Sequence, residues 1–551
     1  MGIQNIHLRR VFSTIVSSLP IAFIALPSLA AERVIFSYGL LEISIPVDSL
    51  ETFAREGRID DKLAPYAQEV SPEELAEVQE ILLTPIDVSH VTLSQFLYSS
   101  LGEVLLEYLG ELIQTDARLN GFYALRSAVV LAAADSEGLT VLNVLRQFPT
   151  PALRVNGVRA VQVAGAFTKL LQETEQMIAL IEDQAAIEAA ASPPMDFSQL
   201  PDLRQLGALS WQTETLELYD QSRDRAFETT LYSPSPQPAT PMPVVVISHG
   251  LGADNTNFID LAQHLASHGF AVALLQHPGS DTQQLQNLLA GDVSEVIDPQ
   301  EFIDSPKDVS FLLDELQRRN QSQASQSASF NLQQVGVIGH SFGGYTALAL
   351  AGAELDFEQL RADCTFEDRG LRDLNLVNLS LLLQCVALDG DYEFHPSLRD
   401  DRVQAVLAMN PISGSVFGPR GLQPVQVPVM LVAGSNDPVA PALLEQIRPF
   451  TWLAGADKYL VLIQGGTHVY VGSEPSNDGA WVIPEEVVSP DPALARDYLK
   501  VSSLAFMQTH VAAQESYQVY LTASYPQAIS QPPMKLMLVR TLPATASSAL
   551  E

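Results

Sequence analysis

The sequence predicts an α/β fold, in which a mostly parallel sheet carries helices on both faces and follows a mainly helical N-terminal domain. After about residue 210, apolar runs at 244–247, 271–275, 335–338 and 403–409 alternate with helical segments, as parallel strands buried on both faces do. Between about 48 and 190, apolar residues instead recur at helical spacing. The 551 residues are 47% hydrophobic and 17% charged, which supports several folded domains and excludes wholesale disorder.

Changes in composition and pattern divide the chain into five predicted segments. These are a signal peptide at 1–30, a mainly helical domain of unknown function at 31–190, a linker at 191–209, an α/β domain at 210–512 with inserts at 279–303 and 354–400, and a C-terminal extension at 513–551. Within that extension, residues 517–523 could form a strand, and the end has a frayed pattern. Both inserts follow strand ends, which favours a lid or cap over the ligand edge of the sheet. A decorative surface loop is the alternative.

The first thirty residues have the pattern of an export signal. Arg9 and Arg10 precede an apolar run at 11–26, and Ser28 and Ala30 offer small residues for cleavage after Ala30. An uncleaved membrane anchor is the alternative, although prolines and serines interrupt the run. We therefore expect a protein exported to the periplasm or the cell exterior, or to the thylakoid lumen in a cyanobacterium, with no stable membrane span after cleavage.

The charge balance argues against polyanionic partners. The chain has 30 Lys and Arg against 65 Asp and Glu, a net charge of −35. Phosphate backbones and anionic lipid surfaces repel such a chain. We therefore expect no nucleic-acid partner.

Two cysteines, Cys364 and Cys385, are too few for a four-cysteine zinc site or an all-cysteine iron–sulfur cluster. Export favours a disulfide between them, because oxidising compartments preserve such bonds. Two buried free thiols are the alternative.

A strand–turn–helix passage carries the strongest chemical motif. Between the apolar run at 335–338 and a helical segment lies Gly339-His340-Ser341-Phe342-Gly343-Gly344. This is the G-x-S-x-G pattern of a nucleophile elbow, whose glycines allow a sharp turn that exposes the serine hydroxyl. We predict Ser341 as a nucleophile, which needs a base at neutral pH.

The base and its carboxylate partner are expected late in the chain, in the order serine, acid, histidine. Of ten histidines, His468 follows the last predicted strand at 459–463, and we predict it as the base. Asp437 follows the strand at 429–433 and is predicted to orient the imidazole. A turn role before Pro438 is the alternative for Asp437, and Asp389 and Asp391 are weaker rivals.

The oxyanion of a tetrahedral intermediate needs two backbone donors. We predict the amides of Phe342, after the nucleophile, and of Leu251, in the turn after the strand at 244–247. His249 is interpreted as bracing that turn, and His277 as either lining the pocket or ending a strand. Since no His-Glu-x-x-His motif, P-loop or dinucleotide fingerprint occurs, we expect no cofactor and no metal.

The motifs resemble the α/β-hydrolase superfamily, and within it the serine-type platelet-activating-factor acetylhydrolases and proteins labelled predicted dienelactone hydrolases. The resemblance covers roughly 210–512. It is carried by Ser248-His249-Gly250-Leu251-Gly252-Ala253, Leu265-Ala266-Ser267-His268-Gly269-Phe270 and the elbow around Ser341. It implies an α/β-hydrolase fold, ester hydrolysis, and Leu251 and Phe342 as oxyanion donors.

The sequence departs from the acetylhydrolases at the acid. In that family the aspartate follows an earlier strand, where this chain has Met409-Asn410-Pro411, and Asn410 cannot act as a carboxylate. Asp437 instead resembles the acid of dienelactone hydrolases and cutinase-like polyesterases. True dienelactone hydrolases use a cysteine nucleophile, whereas this chain has Ser341. The resemblance therefore implies ester cleavage without fixing an acetylglycerophospholipid as substrate.

The N-terminal part resembles a domain of unknown function that precedes hydrolases in cyanobacterial proteins. The likeness is carried by Phe36-Ser37-Tyr38-Gly39, Gln95-Phe96-Leu97-Tyr98 and Asn120-Gly121-Phe122-Tyr123-Ala124-Leu125. It implies no activity.

The expected function is that of an exported serine esterase or lipase acting on a small-molecule or lipid ester. The alternatives are phospholipid deacetylation, amide or peptide hydrolysis by the same residues, and a binding protein with a silent hydrolase fold. The protein partner of the N-terminal domain stays open.

Overall fold

A computed structural model of the chain describes residues 30–68, 70–238, 240–322, 329–365, 373–390, 397–469, 487–543 and 546. The predicted signal peptide lies outside the described residues apart from Ala30, as do Asp391 and the 470–486 segment. Among the described residues, no helix combines the length and apolar character that a membrane crossing requires.

The strands in chain order are β1 (Arg33–Tyr38), β2 (Leu41–Pro46), β3 (Ile113–Thr115), β4 (Ala152–Asn156), β5 (Ser210–Asp220), β6 (Arg225–Ser235), β7 (Met242–Ser248), β8 (Ala271–Leu275), β9 (Phe330–His340), β10 (Val403–Met409), β11 (Val429–Gly434), β12 (Lys458–Gln464) and β13 (Lys535–Val539). The α-helices are α1 (Val47–Glu56), α2 (Ala64–Ala67), α3 (Pro72–Leu83), α4 (His90–Leu97), α5 (Ser100–Leu112), α6 (Phe122–Ala134), α7 (Val141–Gln147), α8 (Gly157–Ala191), α9 (Ile259–Ser267), α10 (Thr282–Ala290), α11 (Glu301–Ser322), α12 (Phe342–Leu350), α13 (Phe357–Cys364), α14 (Leu379–Val386), α15 (Gly414–Leu422), α16 (Arg448–Trp452), α17 (Pro492–His510) and α18 (Ser524–Ile529).

The chain forms two compact units that do not follow sequence order. The first combines Met1–Val88 with Ile113–Asn156, and the second combines Ser89–Leu112 with Gly157–Glu551. The predicted helical domain at 31–190 is therefore divided between them, because α4 and α5 contact the inserts of the second unit and α8 packs in the core of its sheet. In sequence they precede that sheet, but in the structure they belong to its unit.

The first unit is mainly helical, with a small four-stranded sheet in the order β2-β1-β4-β3. Helix α3 begins where the sequence indicates: the Ser71 hydroxyl accepts from the Glu74 N–H, and the Glu74 carboxylate accepts from the Ser71 N–H. This reciprocal pair satisfies two donors that a helix N-terminus leaves free. The unit's apolar core includes Phe53, Leu82 and Leu142.

The second unit contains a nine-stranded sheet in the order β13-β12-β11-β10-β9-β7-β8-β6-β5. Its central strands from β12 to β8 are parallel. On one side β6 pairs antiparallel with β8 and β5 with β6, and on the other β13 pairs antiparallel with β12. The predicted α/β-hydrolase fold is thus confirmed. Since the carboxyl ends of parallel strands meet at one edge, the turns after β7, β9, β11 and β12 lie together there.

Successive side chains along each central strand point to opposite faces of the sheet, and they form two apolar cores, one on each face. In β7, Val244 and Val246 belong to the core that includes α8, α11 and α12. Val245 and Ile247 belong to the core that includes α9 and α17. Burying one such side chain contributes about 1.5–3 kcal/mol, so both cores stabilise the packing of the helices on the sheet.

The segment Asp304-Ser305-Pro306 predicts a helix cap, with a helix running from there to about Arg319. The structure instead begins α11 at Glu301, so that Pro306 lies inside the helix. Proline has no N–H to donate to the carbonyl four residues earlier, which belongs to Phe302. The Tyr345 hydroxyl donates to that carbonyl instead, at 2.7 Å. A side chain from α12 thus replaces the missing backbone bond, a compensation that local sequence does not show.

The C-terminal extension differs from its prediction. Residues Glu515–Leu521 form a 3₁₀ helix rather than a strand, with Tyr520 buried in the core beside α17. The strand of this region is β13, which pairs antiparallel with β12 through residues 535–539. The extension therefore completes the sheet instead of fraying along its whole length.

Both inserts are partly helical and contact the same early segment of the chain. Helix α10 lies in the 279–303 insert, and α13 and α14 lie in the 354–400 insert. The Ser100 N–H donates to the Glu295 carboxylate at 2.7 Å, and the Tyr108 hydroxyl donates to the Leu376 carbonyl. Tyr108 also packs in a cluster with Cys385. Helix α5 thus contacts both inserts, and α4 packs against α10 in the 279–303 insert.

The predicted disulfide is confirmed: Cys364 and Cys385 are bonded at 2.01 Å and link α13 to α14. Replacing both cysteines by serine should lower the free energy of unfolding by about 3 kcal/mol, because the unfolded chain regains the freedom of a 21-residue loop. Urea titration of the variant and of reduced wild-type protein would measure this. The two should unfold at the same, lower midpoint, and an unchanged midpoint in the double variant would contradict the expectation.

Candidate active site

Ser341 lies at the junction of β9 and α12 with a strained backbone, at φ 54 and ψ −115. A non-glycine residue at positive φ costs about 1–3 kcal/mol and persists only where the surroundings enforce it. Gly339 and Gly343 provide those surroundings. A Cβ on Gly339 would lie 1.9 Å from the Gly343 carbonyl oxygen, and one on Gly343 would lie 2.2 Å from the Ser248 carbonyl oxygen. The tight turn predicted from the motif therefore needs both glycines.

The structure brings Ser341, His468 and Asp437 together in one line of hydrogen bonds. The His468 Nε2 atom lies 3.0 Å from the Ser341 hydroxyl, and its Nδ1 atom lies 2.7 Å from Asp437 Oδ2. A carboxylate can only accept, so Nδ1 carries the proton and Nε2 is left to accept from the serine. All three residues are 5–7% exposed, so little water competes for these bonds.

Asp437 holds its carboxylate in place with its own loop. Its Oδ1 atom accepts from the Val439 and Ala440 N–H groups, each at 2.8 Å. The turn role considered for this residue is thus present together with the contact to His468. Because one oxygen is bound by the turn, the other is fixed towards the imidazole.

The two predicted oxyanion donors, Leu251 and Phe342, belong to two different turns that both lie close to Ser341. Phe342 is the first residue of α12, and the first N–H groups of a helix have no partner within it. The turn after β7 passes beside Ser341, since a Cβ on Gly250 would lie 3.1 Å from the Ser341 Cβ. Leu251 follows directly. The donor roles themselves stay predictions.

Asn410 has a structural role that the sequence did not predict, beyond its lack of a carboxylate. It follows β10 with φ 43, and its side-chain amide donates to the Thr467 and His468 carbonyls at 2.8 and 3.3 Å. Its side-chain oxygen accepts from the Gly434 N–H at 3.0 Å. One buried amide thus ties the ends of β10, β11 and β12 together. The available signal was an asparagine directly after a buried strand, a residue type that tolerates positive φ.

His340, the variable position of the elbow, braces His468 from a second side. Its Nε2 atom lies 2.9 Å from the His468 carbonyl oxygen. Burial, together with the nearby His468, lowers the pKa of His340 to about 3. The ring is therefore neutral and donates its Nε2–H to that carbonyl. His277 does not line an open pocket, since it is 1% exposed beneath the turn after β7.

This arrangement can perform nucleophilic chemistry on an electrophilic carbonyl. A neutral imidazole can take the serine proton, and a carboxylate can stabilise the imidazolium that forms. Among the described residues, no group of three or more His, Cys, Asp or Glu side chains is placed to hold a metal ion.

Comparison with known families gives two matches. A family described as an alpha/beta hydrolase of unknown function, DUF1400, matches residues 30–156, and the Chlorophyllase family matches residues 201–363. The second match includes the turn after β7 and Ser341 but ends before Asp437 and His468. No curated protein matches the chain. The predicted superfamily and the N-terminal domain of unknown function are confirmed, whereas the likeness to acetylhydrolases stays a prediction. The chain belongs to the α/β-hydrolase superfamily and carries a DUF1400 domain ahead of its hydrolase sheet.

Proposed function

We propose that this hydrolase cleaves carboxylic esters through an acyl-enzyme formed on Ser341. The observation that carries the proposal is the continuous line from Asp437 through His468 to Ser341, with separations of 2.7 and 3.0 Å. A serine hydroxyl is a weak nucleophile alone, and this line supplies the base and the carboxylate that make it reactive.

In the first half of the reaction, Ser341 Oγ attacks the ester carbonyl carbon while His468 Nε2 takes the hydroxyl proton. Asp437 stabilises the imidazolium, which it contacts through Nδ1. The carbonyl oxygen becomes an oxyanion, to which the Leu251 and Phe342 N–H groups donate. His468 then returns the proton to the departing alcohol oxygen as the ester C–O bond breaks.

In the second half, water replaces the alcohol. His468 removes a proton from the water as its oxygen attacks the acyl carbon, and the same two amides bind the second oxyanion. Collapse of this intermediate releases the carboxylic acid and returns the proton to Ser341. Amide hydrolysis makes the same demands, so a comparison of matched ester and amide substrates distinguishes the two.

The Chlorophyllase match favours a second, narrower candidate: hydrolysis of the ester that joins a chlorophyll ring to its long alcohol. The strongly negative chain, at −35, favours an uncharged ester of this kind over anionic lipids. Purified protein should then release the free chlorophyll acid in a reaction that Ser341→Ala abolishes. Turnover of short nitrophenyl esters or acetylglycerophospholipid without any chlorophyll cleavage would remove this candidate.

Ser341→Ala should lower ester turnover by roughly 10⁴-fold or more, because the attacking oxygen is lost while the fold is kept. Hydrolysis of nitrophenyl esters over a range of acyl lengths, together with labelling by a fluorophosphonate, measures this. Ser210→Ala, at an exposed serine of β5, is the matched control and should keep full activity. Unchanged turnover in Ser341→Ala would refute the proposed function.

Asn410→Asp should lower kcat by about 10- to 100-fold and the free energy of unfolding by about 2 kcal/mol. A carboxylate cannot donate to the Thr467 and His468 carbonyls, so the loop that holds the base loses its anchor. Ester kinetics and urea titration measure the two effects. Asn436→Asp makes the same chemical change at an exposed position nearby and should leave both values unchanged. Wild-type kcat in Asn410→Asp would show that this anchor is dispensable.

A further inference from the structure

A second line of buried polar side chains lies behind the turn after β7. The Ser248 hydroxyl donates to His277 Nε2 at 3.0 Å, and His277 Nδ1 lies 3.1 Å from Asp308 Oδ2. The three residues are 0–1% exposed. They repeat the residue types of the site around Ser341, but no substrate can reach Ser248. Any effect of these three residues on the reaction must therefore pass through the residues that they contact.

Two arginines keep Asp308 ionised. Arg225 binds both Asp308 oxygens at 2.8–3.1 Å and also Glu301 at 2.7 Å, and Arg223 lies 2.8 Å from Asp308. Burial alone would raise the pKa of Asp308, but the His277 hydrogen bond and the Arg225 charge hold that pKa below its usual value. The carboxylate therefore accepts the Nδ1 proton of His277, and Nε2 is left to accept from Ser248.

His277 also sets the proton of His249. The His277 backbone N–H donates to His249 Nε2 at 3.0 Å. Burial, followed by the proximity of His277, lowers the pKa of His249 to about 3, so its ring is neutral. Since Nε2 accepts, the single ring proton is on Nδ1, and it is donated to the Gly250 carbonyl at 2.8 Å.

The Gly250 carbonyl and the Leu251 N–H belong to the same peptide group. In a trans peptide these two groups point in opposite directions. A hydrogen bond that fixes the Gly250 oxygen therefore fixes the direction of the Leu251 N–H as well. The Ala253 N–H donates to the same oxygen at 3.2 Å. The next residue is also held, because the Gly252 N–H donates to the Ser280 carbonyl at 2.7 Å.

We propose that His249 is a positioning residue that aims the Leu251 N–H at the oxyanion. His277 is a second positioning residue, because its backbone N–H fixes the His249 ring proton, while Asp308 with its arginines holds the His277 side chain and its tautomer. The inference rests on the proposed ester hydrolysis and assigns a role to residues on β6, α11 and the turn after β8. These residues never touch substrate. They act through one peptide group beside Ser341.

The test compares an ester with its thionoester, in which sulfur replaces the carbonyl oxygen. Sulfur accepts hydrogen bonds weakly, so thionoester turnover depends little on the oxyanion donors. Asp308→Asn should lower kcat for the ester by about 10- to 100-fold. This is less than the loss in kcat on removing an oxyanion donor altogether, because the Leu251 N–H is misdirected rather than absent. The KM should stay within about two-fold, and thionoester turnover should fall far less. Asp314→Asn, an exposed change on the same helix, is the control and should match wild type.

A second pair of variants covers the case in which Asp308→Asn does not fold. His249→Asn keeps a side-chain N–H near the position of Nδ1, whereas His249→Phe keeps ring volume without a donor. The phenylalanine variant should show the ester-selective loss, and the asparagine variant should recover much of it. The positioning role would be overturned if Asp308→Asn and His249→Phe lowered ester and thionoester turnover equally. It would also be overturned if neither variant lowered ester turnover. Ester turnover that survives Ser341→Ala would instead refute the proposed function, so the two failures are distinct.

Discussion

The backbone of Ser341 is held at φ 54 between β9 and α12, and the geometry of the whole site follows from that constraint. A non-glycine residue with this backbone conformation lowers the stability of the fold by about 1–3 kcal/mol, which neighbouring contacts must offset. The Ser341 N–H donates to the Met409 carbonyl at 2.9 Å, so the end of β10 helps to hold the turn. The same crowding leaves no room for a side chain at Gly343, where the Ser248 carbonyl oxygen lies close. The nucleophile and the turn after β7 are thus fixed against each other.

Because the residues of the site are buried, the position of each polar group depends on its hydrogen-bond partners within the protein. Ser341, Asp437 and His468 are 5–7% exposed, so water cannot replace a hydrogen bond that a misplaced donor fails to make. Each loop of the site therefore needs hydrogen bonds that hold it in position. Asn410 and His340 both donate to the carbonyl of His468, which fixes the base from its backbone. On the opposite side of the nucleophile, His249 holds the Gly250 carbonyl. Separate hydrogen-bond networks thus brace the base and the oxyanion turn.

Much of this could be predicted from the sequence, because the decisive signals are local. An apolar run followed by Gly339, Ser341 and Gly343 specifies the elbow, and the order of strands narrows the acid to Asp437 and the base to His468. The roles of Asn410 and His277 could not be predicted, since they depend on hydrogen bonds to residues 57 and 31 positions away. The start of α11 was misplaced for a similar reason. Its proline is tolerated only because Tyr345, from another helix, supplies the missing hydrogen bond.

The structure places the start of the hydrolase unit earlier in the chain than the predicted linker at 191–209. The family match ends at residue 156, where the first compact unit also ends, and α8 begins at the next residue. Leu170, Met177 and Ile181 of α8 lie in the core on one face of the hydrolase sheet. A hydrolase that began at the predicted linker would expose that apolar surface to water, at a cost of about 1.5–3 kcal/mol for each large side chain. Helix α5, which lies inside the family match, contacts both inserts through Ser100 and Tyr108. Part of the matched region, Ser89–Leu112, therefore belongs to the compact unit that holds Ser341.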